Sequence, residues 1–314
     1  PARSEMCIRD SPSGNRRTLL LCGVKSMLDD VVAYLADPRT GESLQWCGND
    51  KRVLTTESGR HYDVARQGYV TLFGAGRAFP GDNAHMVMNR DTFLASGLYA
   101  PLARRIAAHG AQMTMSSDQH TPVIVDMGAG TGYYTHELQR AVSSETRIIA
   151  ADISVPAAKR LAKLDGHVGA IVADVWQRWP IKDACADLVM HVFAPRNPAE
   201  AARVLRPGGG VLVVAPSQRH LQELVAAGIA VHVDSQKADR LRQGFIEYFD
   251  EVDCDLCEWT ITPTRSQIEQ IITMGPSSYH SDTEKVSAAA AELAAVHQQI
   301  TCSVEIRQYK RKDS

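Results

Sequence analysis

The residues with the most chemical content form one short run, Asp126-Met127-Gly128-Ala129-Gly130-Thr131-Gly132. The apolar triplet Val123-Ile124-Val125 leads into it, and a helical pattern from Thr131 to Ala141 leads out. Glycines at such a strand-to-helix turn let the chain bend tightly and let a ligand approach the backbone. Two more acids follow the next strands: Asp152 after Arg147 to Ala151, and Asp174 within Val172-Ala173-Asp174-Val175-Trp176. Parallel strands of an open α/β sheet end on a common edge, so the three carboxylates are expected to converge there. The glycine spacing is GxGxG, not the GxGxxG of dinucleotide sites, and a carboxylate beside the loop opposes a phosphate. These acids suit a ligand that carries hydroxyls and positive charge and lacks phosphate. Helix capping and solvent exposure are the bland alternatives for each acid.

S-adenosylmethionine is such a ligand, with a ribose, a sulfonium and an ammonium. Asp152 would hold both ribose hydroxyls and Asp174 the adenine amino group. The expected cofactor-binding set is Asp126, Gly128, Ala129, Gly130, Gly132, Tyr133, Tyr134, Asp152, Ile153, Asp174, Val175 and His191.

The elements that must position this set are read from hydrophobic pattern. From Pro122 onward strands and helices alternate as in a doubly wound α/β domain. Strands are expected at 123–125, 147–151, 168–172, 186–193 and 211–214, with helices at 131–141, 156–164 and 198–205. An alternating stretch from Glu251 to Thr262, a helix from Arg265 to Ile272 and a strand from Thr301 to Tyr309 complete the sheet. The fold class expected is α/β, a class I S-adenosylmethionine-dependent methyltransferase sheet of seven strands with an antiparallel last strand. Residues 1–26 read as a foreign or disordered leader, and 27–81 as a small N-terminal module of weak strand pairs. Residues 82–114 read as a helical connector, within which Ala107 begins a polar linker running to Thr121, and 115–314 as the methyltransferase domain.

Composition narrows the classes. The formal charge is −2, so the whole-molecule field favours no polyanion and a nucleic acid would need a local patch. No apolar run approaches the roughly 18 residues of a membrane span. Seven scattered cysteines fit reduced thiols in a cytoplasm better than a disulfide framework. Cys254 and Cys257 have CxxC spacing, but they sit in a strand pattern with no second pair, which points to a structural role.

Narrower blocks carry a family resemblance from about Met27 to the C-terminus. They are Tyr62-Asp63-Val64-Ala65-Arg66-Gln67-Gly68-Tyr69-Val70, Gly81-Asp82, Met86 with Arg90, and Gly97-Leu98-Tyr99-Ala100-Pro101-Leu102. The cofactor loop with Tyr133-Tyr134-Thr135 and the segment Val172 to Trp176 belong to the same pattern. Val192-Phe193-Ala194-Pro195-Arg196-Asn197-Pro198, Leu205-Arg206-Pro207-Gly208-Gly209, Arg219-His220-Leu221 and Met274-Gly275-Pro276-Ser277-Ser278 complete it. In these blocks the chain resembles the bacterial 23S rRNA (guanine-N1)-methyltransferases, including the type that confers resistance to macrolides such as tylosin and mycinamicin. The resemblance implies methyl transfer to N1 of a guanine in a 23S rRNA hairpin. It also implies a homodimer whose paired N-terminal modules grip that hairpin. Arg39, Lys51, Arg52, Arg60, Arg66, Arg77 and Arg90 are the basic residues available to phosphates there.

The family's N-terminal module is zinc-ribbon-like, with three cysteines and a histidine on one zinc. The matching positions here are Asp37, Thr40, Thr56 and Arg60, so no zinc is expected. Such a module must hold together by packing, and greater mobility is expected of it.

The class places its target base at the end of the fourth strand. Phe193 would stack on it, Arg196 or Asn197 would donate to O6, and His191 would be the candidate base, although a histidine on an apolar strand is more often packed in the core. Tyr133, Tyr134 and Tyr279 are candidate aromatic walls. Two other functions fit the same features: a methyltransferase acting on a small molecule, and a non-catalytic RNA- or ribosome-binding module that retains the fold.

Overall fold

The computed structural model describes residues 27–49, 51–74, 81–115, 121–229, 242–274, 287–288, 290–291, 293 and 299–312. The leader 1–26, Arg77 and Tyr279 lie outside the described residues.

In the N-terminal segment, β1 (Gln45–Trp46), β2 (Val53–Thr55) and β3 (His61–Asp63) form a small antiparallel sheet. After β4 (Val70–Thr71) come α1 (Ala84–Ala95) and α2 (Ala100–Thr114). Then β5 (Val123–Met127), α3 (Tyr133–Ala141), β6 (Arg147–Asp152), α4 (Val155–Leu161) and β7 (Val168–Val172) build one half of the main sheet. The other half holds β8 (Ala186–Val192), α5 (Pro198–Val204), β9 (Leu205–Pro216), α6 (Gln222–Ala226), β10 (Phe249–Ile261), α7 (Arg265–Thr273) and β11 (Ile300–Arg311).

The main sheet has the order β10-β11-β9-β8-β5-β6-β7-β4. Strand β11 is antiparallel to both neighbours, β9 and β10, and the other recorded pairings are parallel. Strands β5 and β7 are buried throughout, as parallel strands covered on both faces must be. The chain runs outward through β6 and β7, then returns to lay β8 beside β5. That reversal opens a crevice at the carboxyl ends of β5 and β8, where ligands of such sheets bind.

Two expectations change, the number of strands and the extent of the linker. The sheet has eight strands, because β4 from the N-terminal segment pairs in parallel with β7, Val70 against Ile171 and Thr71 against Val172. Paired this way, the outer side of β7 is no longer an open edge. The N-terminal segment packs into the main core, a contact with the rest of the chain that a module without a metal needs. Leu28, Val31, Leu35, Leu44 and Leu54 share one buried cluster with Ile149, Ile171 and Trp179. A methyl on Gly169 would lie 2.0 Å from Cγ2 of Val31, so the absence of a side chain lets the N-terminal turn seat on β7. Finally, α2 continues through the predicted linker to Thr114. Ile106, Ala107, Gly110 and Thr114 form a buried stripe at helical spacing, and Gly110 lets α3 approach through Leu138.

Candidate active site

Strand β5 delivers Asp126 to the crevice and the chain then turns through Gly128 to Gly132 into α3. Gly128 has φ 88°, and a methyl there would lie 2.4 Å from Cβ of Ala194 on the neighbouring β8–α5 loop. Gly132 has φ 83° and packs its bare face on Leu161 and Leu164 behind the loop. Both positions therefore need glycine. The loop is tied to β6: Gly128 and Ala129 donate to the carbonyl of Ala151 at 2.8 and 2.9 Å. Gly130 donates to Asp152 Oδ2 at 2.8 Å, and Ser154 to Asp152 Oδ1 at 2.8 Å. Asp174 accepts from the backbone of Trp176 at 2.9 Å and is buried.

Asp126 is 1% exposed. Its Oδ2 accepts from Thr135 Oγ1 at 2.6 Å, and its Oδ1 has no protein partner. Burial pushes its carboxyl up to about 7, with Thr135 opposing and the charge of Asp152 adding to the rise. Burial also raises Asp152.

These side chains face one cavity of about 590 Å³. Of the expected cofactor set, Asp126, Gly128, Ala129, Gly130, Tyr133, Tyr134, Asp152, Ile153, Asp174 and Val175 line it. Gly132 shapes the loop from behind, and His191 is elsewhere. The cavity is of the size that holds a nucleoside-bearing ligand. Its carboxylates and the orphaned, buried Oδ1 of Asp126 fit a ligand with hydroxyls and cationic groups, so the residues present fit S-adenosylmethionine.

The four expected catalytic residues part company. Phe193 lines the cavity, 41% exposed, with a left-handed φ of 53° that a bulky residue rarely adopts. His191 is fully buried on the opposite side of β8, with ring centroids 5.9 Å from Trp179. Side chains alternate along a strand, so Val192 faces the cavity and His191 cannot. Neither His191 nitrogen has a hydrogen bond of normal geometry, although the backbone of Met127 favours its charged form somewhat. Burial and the nearby Arg196 push its pKa down to about 3. Arg196 does not line the cavity; it is largely desolvated within electrostatic reach of Tyr309 and Arg307. Asn197 caps α5, accepting from Glu200 N at 3.3 Å and donating to the Val175 carbonyl at 3.1 Å. The structure thus corrects the reading of His191, Arg196 and Asn197: none reaches the cavity.

A residue not singled out as catalytic from sequence lies beside Phe193 instead. His220 lines the cavity and stacks on Phe193, with centroids 6.1 Å apart and planes at 27°. Tyr134 stands 6.2 Å from Phe193 on another side. His220 Nδ1 accepts from Ser303 N at 3.2 Å, so its proton sits on Nε2, which faces the Tyr99 hydroxyl at 3.5 Å. Burial pushes its pKa down to about 4, and the ring is neutral. The Arg219-His220-Leu221 block was the only signal for it in sequence. Among the candidate phosphate contacts, Lys51 pairs with Asp29 at 2.7 Å, Arg60 pairs with Asp37 and Arg90 pairs with Asp82. Arg90 lies in the cavity rather than on an outer surface.

The positions matching the family's zinc ligands do converge. Asp37 is fully buried and its Oδ2 lies 2.8 Å from Arg60 Nε, while Oδ1 accepts from the backbone of Arg39 at 2.7 Å and of Thr40 at 3.3 Å. Thr56 Oγ1 accepts from Arg60 N at 3.0 Å. One carboxylate paired with a guanidinium, and two threonines, do not fit a structural zinc. Among the described residues no three His, Cys, Asp or Glu side chains cluster as metal ligands would. Also among them, no helix is long and apolar enough to cross a membrane.

A sequence profile described as a methyltransferase domain matches residues 124–209. A 23S rRNA (guanine(748)-N(1))-methyltransferase from Streptomyces fradiae is 37% identical over 280 residues, covering 88% of this chain and 97% of that protein. A protein from Micromonospora griseorubida, named as a 23S rRNA (guanine-N(1)-)-methyltransferase, is 33% identical over 295 residues, covering 90% of this chain and 99% of its own length. A solved structure from Bacillus halodurans, described as a methyltransferase, aligns with TM-score 0.46 and 14% identity, covering 65% of this chain and 97% of that one. Identity sustained along nearly the whole of both sequence relatives, over a sheet and glycine loop built for the cofactor, makes this chain a member of the 23S rRNA guanine-N1-methyltransferase family, S-adenosylmethionine-dependent enzymes of the class I fold.

Proposed function

We propose that this chain transfers a methyl group from S-adenosylmethionine to N1 of a guanine in a hairpin of 23S rRNA. The observation that carries the reading is 37% identity along 97% of a relative named for that reaction. That relative's name specifies guanine 748, and the equivalent guanine is the target proposed here. A homodimer gripping the hairpin through its N-terminal sheets, a metal-free N-terminal module, a cytoplasmic site of action and a role in macrolide resistance belong to the same proposal.

S-adenosylmethionine, when bound, supplies an electrophilic methyl group on a neutral leaving group. The protein's part is mostly positioning. Asp152 and Asp174 hold the nucleoside, and Asp126 offers its open oxygen to the cationic end. Phe193, His220 and Tyr134 form an aromatic slot for the flipped guanine, whose stacking on such rings replaces what it loses in RNA. Guanine N1 carries a proton at neutral pH, and removing it costs about 3 kcal/mol. His220 is a wall rather than a base, because both its nitrogens are engaged and its ring resists protonation. Methyl transfer releases that proton to solvent.

The test is incubation of the protein with radiolabelled S-adenosylmethionine and protein-free 23S rRNA, followed by nuclease digestion and mass spectrometry. N1-methylguanosine at one hairpin nucleotide is the expected product. Cofactor binding without any label in rRNA would move the methyl acceptor to another class of molecule.

A further inference from the structure

We infer that Arg90 holds the α-carboxylate of the cofactor's methionine end, and so sets the site's preference for an amino-acid ligand. The inference rests on the S-adenosylmethionine reading of the cavity. That ligand carries a sulfonium, an ammonium and a carboxylate. The cavity offers Asp82, Asp126, Asp152 and Asp174 to the two cations and the hydroxyls. Against four carboxylates, an unpaired ligand carboxylate would be repelled unless a donor meets it.

The glycine loop offers few donors. The N–H groups of Gly128 and Ala129 are committed to Ala151, that of Gly130 to Asp152 and that of Gly132 to the Ala129 carbonyl. Among the described residues lining the cavity, Arg90 is the one with a lysine or arginine side chain. It rises from α1 and lies over the loop: a methyl built on Gly130 would be 3.8 Å from its Nη1. Nη1 pairs with Asp82, and Nη2 donates to the Met274 carbonyl at 2.6 Å. A guanidinium has five N–H donors in a rigid fork, so these two contacts leave others for a carboxylate. Held at Met274 and Asp82, the fork is fixed over the glycine loop, and Asp82 compensates its charge.

A purely structural strut between α1, the Gly81–Asp82 turn and Met274 would make the same two contacts. Two ligands separate the cases: S-adenosylmethionine, and its decarboxylated form, which keeps the sulfonium and amine and lacks the carboxylate. Calorimetric titration of the wild-type protein should give a clear preference for the former. In Arg90→Gln, affinity for S-adenosylmethionine should fall about tenfold to a hundredfold, the range for a charge-assisted hydrogen-bonded pair, while affinity for the decarboxylated ligand stays within about twofold. Arg90→Lys should fall between. Equal losses for both ligands, or no loss for either, would overturn the assignment. If Arg90→Gln does not fold, Asp82→Asn takes its place: it releases Arg90 from its carboxylate partner and should strengthen the preference for the carboxylated ligand. An unchanged or weakened preference would count against it. Failure of the wild-type protein to bind either ligand would sink the reading of the cavity itself, a result distinct from loss of discrimination alone.

Discussion

Asp126 shows what one buried carboxyl does to a binding site. Its pKa is raised from 3.8 to about 7, chiefly by burial. The folded protein then keeps a proton that the unfolded chain gives up, so this group costs stability as pH climbs from its unfolded value through about 7. A cationic ligand facing the open Oδ1 favours the ionised form, and binding must release that proton. Affinity for S-adenosylmethionine should therefore rise with pH, by up to about tenfold per unit below pH 7, and level off above it. Calorimetry in two buffers of different ionisation enthalpy would count the proton released. Asp126→Asn should flatten the profile; a wild-type profile equally flat would refute the coupling. The same scale explains what sequence could and could not reveal. Asp126, Asp152 and Asp174 were legible because an acid after an apolar strand has one address, the carboxyl edge. His191 was not, because β8 is buried on both faces and hydrophobic pattern cannot say which parity faces the cavity. His220 follows β9 without a pattern of its own, and its place depends on Ser303, 83 positions later in the chain.

Among elements, legibility followed locality. The inner strands β5 to β8 are largely apolar runs that local pattern marks, as are 251–261 in β10 and 301–309 in β11, whereas β9 begins at Leu205, six residues before the apolar run at Val211 that signals it. Strand β4 is two residues long, and its partner lies 101 residues further on, so no local signal marks it. The turns at Asp37–Gly41 and Thr56–Gly59 are a further case. Gly41 donates to the Asp37 carbonyl at 2.8 Å and Gly59 to the Thr56 carbonyl at 3.1 Å. Between them the Asp37–Arg60 pair and Thr56 join the two turns, where the family resemblance implies a metal. Arg60→Met would leave the Asp37 carboxylate buried without its charge partner. Because Arg60 is partly exposed, the loss should be about 1–3 kcal/mol, below that of a fully buried pair. Urea melts of the variant and of the wild-type protein with and without a strong chelator would test it. A chelator-sensitive wild type, or a neutral Arg60→Met, would refute the idea that the ion pair does the joining.

At the scale of the whole molecule, the N-terminal segment is part of the main sheet's structure and not an appendage. Strand β4 extends that sheet, an isolated bridge joins Leu35 to Ile181, and Val31 seats on Gly169. Removing the segment would expose the edge of β7 and open the cluster around Trp179, so the two parts should open together. This matters for the proposed function, since RNA held by the small sheet is then fixed relative to Phe193 and His220 through rigid strands. Native-state hydrogen exchange at increasing urea gives the measurement. Peptides covering 31–35 and 70–72 should open with the same free energy and urea dependence as the peptide covering β7, as members of one cooperative unit. If they open far more easily, with little urea dependence, while β7 stays protected, the segment is docked and not integral. RNA grip and methyl transfer would then be joined by a mobile contact, contrary to what the shared core and the added strand require.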